Sequence, residues 1–218
     1  MPEIIPAILT NDISDFRKKY AELFGLSHYF KKLHIDFVDG EYLPNKTVMP
    51  DDLPKMNSPF ELMAHFMAYN PVQYFSHCKV LGFTWIIIHF EAFHVRAEID
   101  DAISAARKLG LKVGLAINPE TKPYQIAVFI RRVDMIQLMG VHPGAQGRPF
   151  EYETLDKVRE LKKLFKSVII CVDGGAKLGT AKQIAEAGAD WIIAGSALSK
   201  SEHPKLAIEE LLEDIKTT

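Results

Sequence analysis

The run Phe83-Thr84-Trp85-Ile86-Ile87-Ile88-His89 decides the class of fold. It is an apolar segment of the length of one β-strand. Such a run is typical of a strand buried on both faces, as in a parallel sheet that helices cover. An amphipathic segment, Ala97–Leu109, follows it and ends at Gly110, which is a common helix stop. The run and this segment therefore form one strand-then-helix unit.

The same unit recurs from end to end of the chain. Further strands are predicted at Ile4–Leu9, at the segment ending at Asp36, and at Glu61–Phe66, Lys112–Ile117, Asp134–Met139, Ser167–Val172 and Trp191–Ala194. Further helices are predicted at Asp12–Phe24, from Asn70-Pro71 onward, and at Tyr124–Ile130, Phe150–Phe165, Thr180–Ala187 and Leu206–Ile215, with another within Asp51–Met56. Strands alternating with helices predict parallel pairing with right-handed crossovers.

Eight such units in 218 residues predict an α/β fold, a single (β/α)8 TIM barrel that forms one domain over residues 1–218. The alternative is an open, doubly wound parallel sheet. That fold favours a Gly-x-Gly-x-x-Gly turn after the first strand, where this chain has Thr10-Asn11-Asp12.

Composition and charge exclude several classes of partner. The formal net charge is -2, so nothing in the overall charge favours nucleic acid or an anionic membrane as a partner. No apolar run reaches the ~18–20 residues of a membrane span, and the start, MPEIIPAILT, lacks the basic region of a signal peptide. Cys78 and Cys171 are interpreted as buried, reduced thiols, which suits a cytoplasmic location.

Polar side chains follow several of the predicted strands. Side chains at i and i+2 leave a strand on the same face, so His34 and Asp36 point the same way. In a barrel the carboxyl ends of all strands meet at one rim, where the chemistry takes place. The polar residues expected at this rim, together with one methionine, are His34, Asp36, His65, His89, Glu91, Asn118, Met139, His142 and Asp173.

Two histidines and two aspartates from three of these strands can converge on one divalent ion. Nitrogen and oxygen ligands of this kind suit zinc, iron, cobalt or manganese. Each residue also has an ordinary structural interpretation. His65 can be a hydrogen-bonded core histidine, and Asp173, which precedes Gly174-Gly175, can cap a helix.

Glycine-rich turns are expected at the same rim. They are Pro143-Gly144-Ala145-Gln146-Gly147, Gly174-Gly175 and Gly195-Ser196, after the sixth, seventh and eighth strands. Such turns expose backbone N–H groups, and barrels often bind a phosphate after strands 7 and 8. Plain tight turns are the alternative. A metal beside a phosphate site with two carboxylates favours inversion of a stereocentre next to a carbonyl, one carboxylate removing a proton and the other returning one.

Several motifs, in order, resemble the ribulose-phosphate 3-epimerase family over nearly the whole chain. They are Pro6-Ala7-Ile8-Leu9, His34–Gly40, Leu43-Pro44-Asn45, His65-Phe66-Met67, His89-Phe90-Glu91-Ala92, Gly114–Pro119, Val141–Gly144, Val172–Gly175 and Ala194–Ala197. The resemblance implies a ribulose-phosphate-binding type of barrel, an isomerase acting on a small sugar phosphate, and a homo-oligomer.

The resemblance also implies roles for individual residues. The metal, zinc by preference, is held by His34, Asp36, His65 and Asp173, and Asp36 and Asp173 double as the acid/base pair. The phosphate is expected at Gly144, Gly147, Gly174, Gly175, Gly195 and Ser196, while Met67 and Met139 surround the reacting carbons.

The chain departs from the family around the substrate. Ala7 stands where the family has Ser, Val38 replaces a methionine, Glu41 and Tyr42 replace His and Phe, and the phosphate loop reads Ala145-Gln146-Gly147-Arg148. The default reaction interconverts D-ribulose 5-phosphate and D-xylulose 5-phosphate. The alternatives are the same chemistry on another ketose phosphate such as D-allulose 6-phosphate, or a non-catalytic sugar-phosphate-binding barrel. A decarboxylase or aldolase of the Asp-x-Lys-x-x-Asp type is disfavoured, because Val38 occupies the lysine position.

Overall fold

Eight parallel strands close into a barrel whose neighbours follow chain order, with β1 pairing β8. The computed structural model describes residues 1–143 and 148–216. The strands are β1 (Glu3–Ile8), β2 (Lys32–Val38), β3 (Glu61–Met67), β4 (Phe83–His89), β5 (Lys112–Ile117), β6 (Met135–Met139), β7 (Ile169–Asp173) and β8 (Trp191–Ala194). The predicted (β/α)8 barrel is confirmed, and the open sheet is ruled out.

Helices cover the outside of the barrel. They are α1 (Ile13–Gly25), α2 (Phe75–Leu81), α3 (Arg96–Lys108), α4 (Glu153–Leu164), α5 (Thr180–Ala187), α6 (Ser196–Ser199) and α7 (Pro204–Asp214). Asp12 caps α1 as its type predicts, since its Oδ1 accepts from the Asp15 N–H at 2.7 Å. None of the helices in the described ranges is long and apolar enough to cross a membrane.

Two of the predicted helices are only single 3₁₀ turns. Pro50–Asp52 and Pro123–Ile126 stand where helices were expected within Asp51–Met56 and at Tyr124–Ile130. In both cases proline occupies the first turn, which starts a helical segment readily but does not extend it. Short stretches of this kind lack the hydrogen bonds needed to propagate an α-helix.

Alternation along the strands divides the apolar residues into two cores. One lies between strands and helices and includes Ile35, Phe37 and Phe66, which are fully buried. The other fills the inside of the barrel, where the rings of Trp85 and Trp191 meet edge to face at 5.1 Å. The second core occupies the amino-terminal half of the interior and leaves the opposite rim to polar side chains. Cys78 and Cys171 are both buried and free, as predicted.

The close approach of β6 and β7 at the rim depends on Gly140. Its N–H donates to the Asp173 carbonyl at 2.7 Å, which joins the two strand ends. A Cβ at Gly140 would lie 2.5 Å from the Gly174 carbonyl oxygen and 2.6 Å from a ring carbon of Phe150. A backbone oxygen cannot rotate away as a side chain can, so the chain needs glycine here.

We therefore predict that Gly140→Ala destabilises the protein, by about 1–3 kcal/mol, which is the usual cost of overpacking. Chemical denaturation measured by circular dichroism gives the free energy of unfolding. Gly25→Ala is the matched control, because a Cβ there has no heavy atom within 4 Å. The control is expected to stay within about 1 kcal/mol of the parent, or to gain stability from better helix propensity. Equal free energies for the two variants would contradict the packing argument.

Candidate active site

Four polar side chains from three strands meet at the carboxyl-terminal rim. His34 and Asp36 come from β2, His65 from β3 and Asp173 from β7. Strand register brings them together, since Asp36 lies opposite His65. One ligand atom of each residue lies within 4.8 Å of those of the other three. The two histidines and two aspartates singled out in the sequence therefore form one cluster.

The cluster is almost wholly removed from solvent. His34 and His65 are 0% exposed, and Asp36 and Asp173 are each 8% exposed. Nδ1 of His65 lies 2.7 Å from Asp36 Oδ1 and 3.5 Å from Asp173 Oδ2. His34 lies further from both carboxylates, at 3.5 Å from Asp36 and 3.8 Å from Asp173. Neither ring nitrogen of His34 has a hydrogen-bond partner among the described residues.

Burial sets the protonation of these groups. It lowers the pKa of His34 to about 4 and the pKa of His65 well below its usual range. Both imidazoles are thus neutral at pH 7, which is the form that binds a metal. Burial, together with the negative charge of Asp36, raises the pKa of Asp173 well above its ordinary value, and burial also raises the pKa of Asp36. Two carboxyl groups held this closely resist ionising together unless a positive charge lies between them.

These residues fit one divalent metal ion. The unpartnered nitrogens of the buried His34 are the observation that decides this, because a buried polar atom without a partner costs free energy. A cation would take a nitrogen lone pair and at the same time neutralise the carboxylates. Nitrogen and oxygen donors are the ligand set of zinc and of neighbouring transition metals.

A cavity opens beside the cluster and runs toward the ends of β7 and β8. Its lining includes Ala7, Asp36, Met67, Met139, Val141, Asp173, Gly174, Gly175, Gly195 and Ser196. Gly174 and Gly175 have φ of 97° and 77°, a backbone region that favours glycine. The expected phosphate-loop residues Gly144 and Gly147 lie outside the described residues, whereas the other expected substrate contacts line one cavity.

The remaining polar residues at the rim do not join the cluster. His89 is fully buried behind His65, and Glu91 accepts hydrogen bonds from the backbone N–H of Asn118 and the hydroxyl of Thr121. His142 is exposed. Val38, one of the departures from the family, is fully buried and is not among the residues that line the cavity.

Gln137 on β6 belongs to the cluster but did not stand out in the sequence. Its amide Nε2 donates to Asp173 Oδ2 at 2.9 Å, and the side chain is fully buried. One signal was available: Gln137 is the single polar residue in the strand Met135–Met139, and it shares the inward parity of both methionines. An amide there holds the carboxylate in one orientation.

Comparison with solved structures supports the fold alone. The chain resembles orotidine 5'-monophosphate decarboxylase from Sulfolobus solfataricus with a TM-score of 0.70 and 15% identity, over 100% of this chain and 99% of that one. It resembles a mutant tryptophan synthase alpha-subunit from Pyrococcus furiosus with a TM-score of 0.74 and 17% identity, over 97% and 98% of the two chains. At such identities a shared barrel does not determine the reaction.

Sequence comparison goes further. The chain is 31% identical to the ribulose-phosphate 3-epimerase of Schizosaccharomyces pombe over 218 residues, which cover 98% of this chain and 93% of that protein. It is 31% identical to the Bacillus subtilis enzyme of the same name, over 94% and 92% of the two chains. The model of the ribulose-phosphate 3-epimerase family matches residues 3–199. The chain belongs to the ribulose-phosphate 3-epimerase family.

Proposed function

We propose that this protein is a metal-dependent epimerase that inverts C3 of a ketose phosphate, with D-ribulose 5-phosphate and D-xylulose 5-phosphate as its substrate pair. The observation that carries the proposal is the pair Asp36 and Asp173, two carboxyl groups from β2 and β7 held in one buried cluster beside the cavity. The curated relatives carry the name of this reaction, and they match over 98% and 94% of the chain.

The two carboxyl groups perform the proton transfers. One accepts the proton from C3 on one face of the sugar, and the other donates its own proton to the opposite face of the same carbon. One proton leaves and one arrives, so the product differs from the substrate only in configuration. The reverse reaction exchanges the two roles. The relay requires one of the two groups to be protonated and the other to be ionised at the start of each turnover.

Neutral His34 and His65, together with both aspartates, would hold the metal ion. When bound, the ion supplies positive charge beside the substrate's carbonyl and neighbouring hydroxyl oxygens, where negative charge develops as C3 loses its proton. Zinc is the proposed ion; iron, cobalt and manganese accept the same donors. Gln137 keeps Asp173 oriented toward the cluster.

The rest of the cavity binds and encloses the sugar. Met67 and Met139, which are 4% and 5% exposed, provide an apolar wall that excludes water from the reacting carbon. We place the phosphate at Gly174, Gly175, Gly195 and Ser196 and at Gly144 and Gly147. The lining of the cavity by the first four of these residues supports this assignment. The backbone N–H groups of such turns suit an anion.

A second substrate class is favoured by Ala7. This residue lines the cavity, and it is smaller than the serine that the family has at this position. The added space suits a longer sugar such as D-allulose 6-phosphate, on which the same two carboxylates would act in the same way. We also propose that the protein is a cytoplasmic homo-oligomer; its two buried, reduced thiols support a reducing compartment.

The first experiment follows solvent deuterium into C3 by NMR, with metal-loaded protein and ribulose 5-phosphate. Deuterium at C3 together with xylulose 5-phosphate is the expected result. Exchange only with a six-carbon ketose phosphate would move the protein to the second class. Failure of every ketose phosphate to exchange, with metal bound, would refute epimerisation and leave a binding protein.

Asp36→Asn and Asp173→Asn are each predicted to reduce turnover by at least about 10³-fold, because an amide can neither accept nor return the C3 proton and general acid–base catalysis contributes up to ~10⁴-fold. A coupled assay for xylulose 5-phosphate measures the rate, at a metal concentration that keeps each variant loaded. Asp15→Asn, which removes a partly buried carboxylate on α1 that pairs with Lys19, is the control and should keep the parental rate. Parental turnover in either active-site variant would refute the assignment of two acid/base groups.

Metal removal is predicted to abolish activity reversibly. Dialysis against a strong chelator should strip the ion more readily at pH 5 than at pH 7.5, because protons compete for every ligand in the set. Elemental analysis should give one ion per chain before dialysis and none after it, and added zinc or cobalt should restore the rate. Full activity in a protein that elemental analysis shows to be metal-free would contradict the prediction.

A further inference from the structure

His89 lies against His65 and is not among the residues that line the cavity. It ends β4, is fully buried, and its Nε2 lies 2.8 Å from Nε2 of His65. The two rings are stacked with centroids 4.9 Å apart. At this distance one of the two nitrogens must donate a proton and the other must accept it.

The direction of that hydrogen bond follows from which nitrogen of His65 faces the cluster. Nδ1 is the one that lies near Asp36 and Asp173, at 2.7 and 3.5 Å. If Nδ1 gives its lone pair to a cation, the neutral ring carries its proton on Nε2. The amide Nε2 of Gln137 also lies 3.4 Å from His65 Nε2, but its shorter hydrogen bond, at 2.9 Å, goes to Asp173 Oδ2. His65 therefore donates to His89, whose Nε2 must accept and whose own proton must then lie on Nδ1.

Glu91 provides the acceptor for that proton. Its Oε2 lies 3.5 Å from His89 Nδ1, and neither of these two buried atoms makes a hydrogen bond within residues 1–143 and 148–216. An ionised carboxylate oxygen can only accept, so a proton on His89 Nδ1 satisfies both atoms.

The carboxylate of Glu91 is itself held in place. Oε1 accepts from the backbone N–H of Asn118 at 2.8 Å and from Thr121 Oγ1 at 2.5 Å. The ammonium group of the buried Lys157 donates to the carbonyls of Asn118, Pro119 and Thr121, which fixes this loop. The anion therefore has a fixed direction relative to His89.

We propose that Glu91 and His89 are positioning residues that fix the tautomer and the orientation of His65, so that its Nδ1 lone pair points at the bound metal ion. The carboxylate of Glu91 fixes the tautomer of His89, and His89 in turn fixes the tautomer and orientation of His65. The inference rests on the proposed metal site and not on the identity of the sugar. Loss of such an outer partner costs ~10–100-fold in metal affinity.

The test measures Co²⁺ affinity of the full-length protein by competition with a chromogenic chelator. His89→Leu removes the acceptor and should weaken binding by ~10–100-fold, whereas His89→Gln keeps an oxygen acceptor and should recover most of the loss. His142→Gln is the control, because His142 is an exposed histidine at the same rim whose ion pairs are with Glu120 and Glu151. It should bind as the parent does. Equal affinity for His89→Leu and the parent would refute the proposal.

Glu91→Gln tests the direction of the hydrogen bonds that link Glu91, His89 and His65, with almost no change in the shape of the side chain. The amide oxygen must accept from Asn118 and Thr121, so the amide NH₂ group faces His89 Nδ1 and forces that nitrogen to accept. His89 then carries its proton on Nε2, against the Nε2 proton of His65. Metal affinity should fall as far as in His89→Leu, and unchanged affinity would contradict the proposed series of hydrogen bonds from Glu91 through His89 to His65.

Side-chain ¹⁵N NMR of the zinc-loaded parent protein reads the tautomers directly and does not depend on any variant folding. The expected signature of the parent is a proton on Nε2 of His65 and on Nδ1 of His89. The opposite pattern of tautomers in the parent would refute the proposed positioning of His65 by His89 and Glu91, even if metal binds. A parent protein that binds no metal at all would instead refute the proposed metal site.

Discussion

Closing eight parallel strands into one barrel turns every second side chain into a space that only a few of them can fill. In the amino-terminal half of the barrel interior, Trp85 and Trp191 with smaller apolar residues occupy that space. At the carboxyl-terminal rim the inward positions carry His34, Asp36 and His65. These side chains are shielded from water, and they do not satisfy all of one another's hydrogen-bonding groups. Such a cluster is costly when alone and is stabilised by a cation, so closure of the barrel and metal binding are linked.

Much of this arrangement follows from period-two patterns in the sequence. His34 and Asp36 share a face by parity, and the alternation of strands and helices determines the rim at which they lie. The pairing of Asp36 with His65 depends on the register between β2 and β3, and this register cannot be derived from a single sequence. Gln137 was missed because a lone amide in an apolar strand has no motif around it, although its parity points inward. The turns at Pro50 and Pro123 were read as helices, because a first helical turn and a 3₁₀ turn begin alike.

The departures from the family fall unequally on the cavity. Ala7 lines it, so the loss of the family's serine changes the space and polarity that the sugar meets. Val38 is fully buried and is not among the residues that line the cavity. Of the two substitutions, Ala7 is therefore the one that bears on the proposed choice of substrate.

The same barrel also serves proteins with other names. The decarboxylase and tryptophan synthase chains match it over nearly their full lengths at 15–17% identity, so the backbone does not select the reaction. The reaction is determined by the inward-facing residues at the carboxyl ends of the strands and by the side chains that pack against those residues. Asp36 faces His65 on the neighbouring strand, and the ring of His89 packs against His65 from β4. In the proposed metal site, His65 is held by His89 and by the fixed carboxylate of Glu91 before an ion binds, and such preorganisation favours the proposed proton transfer between two buried carboxyl groups.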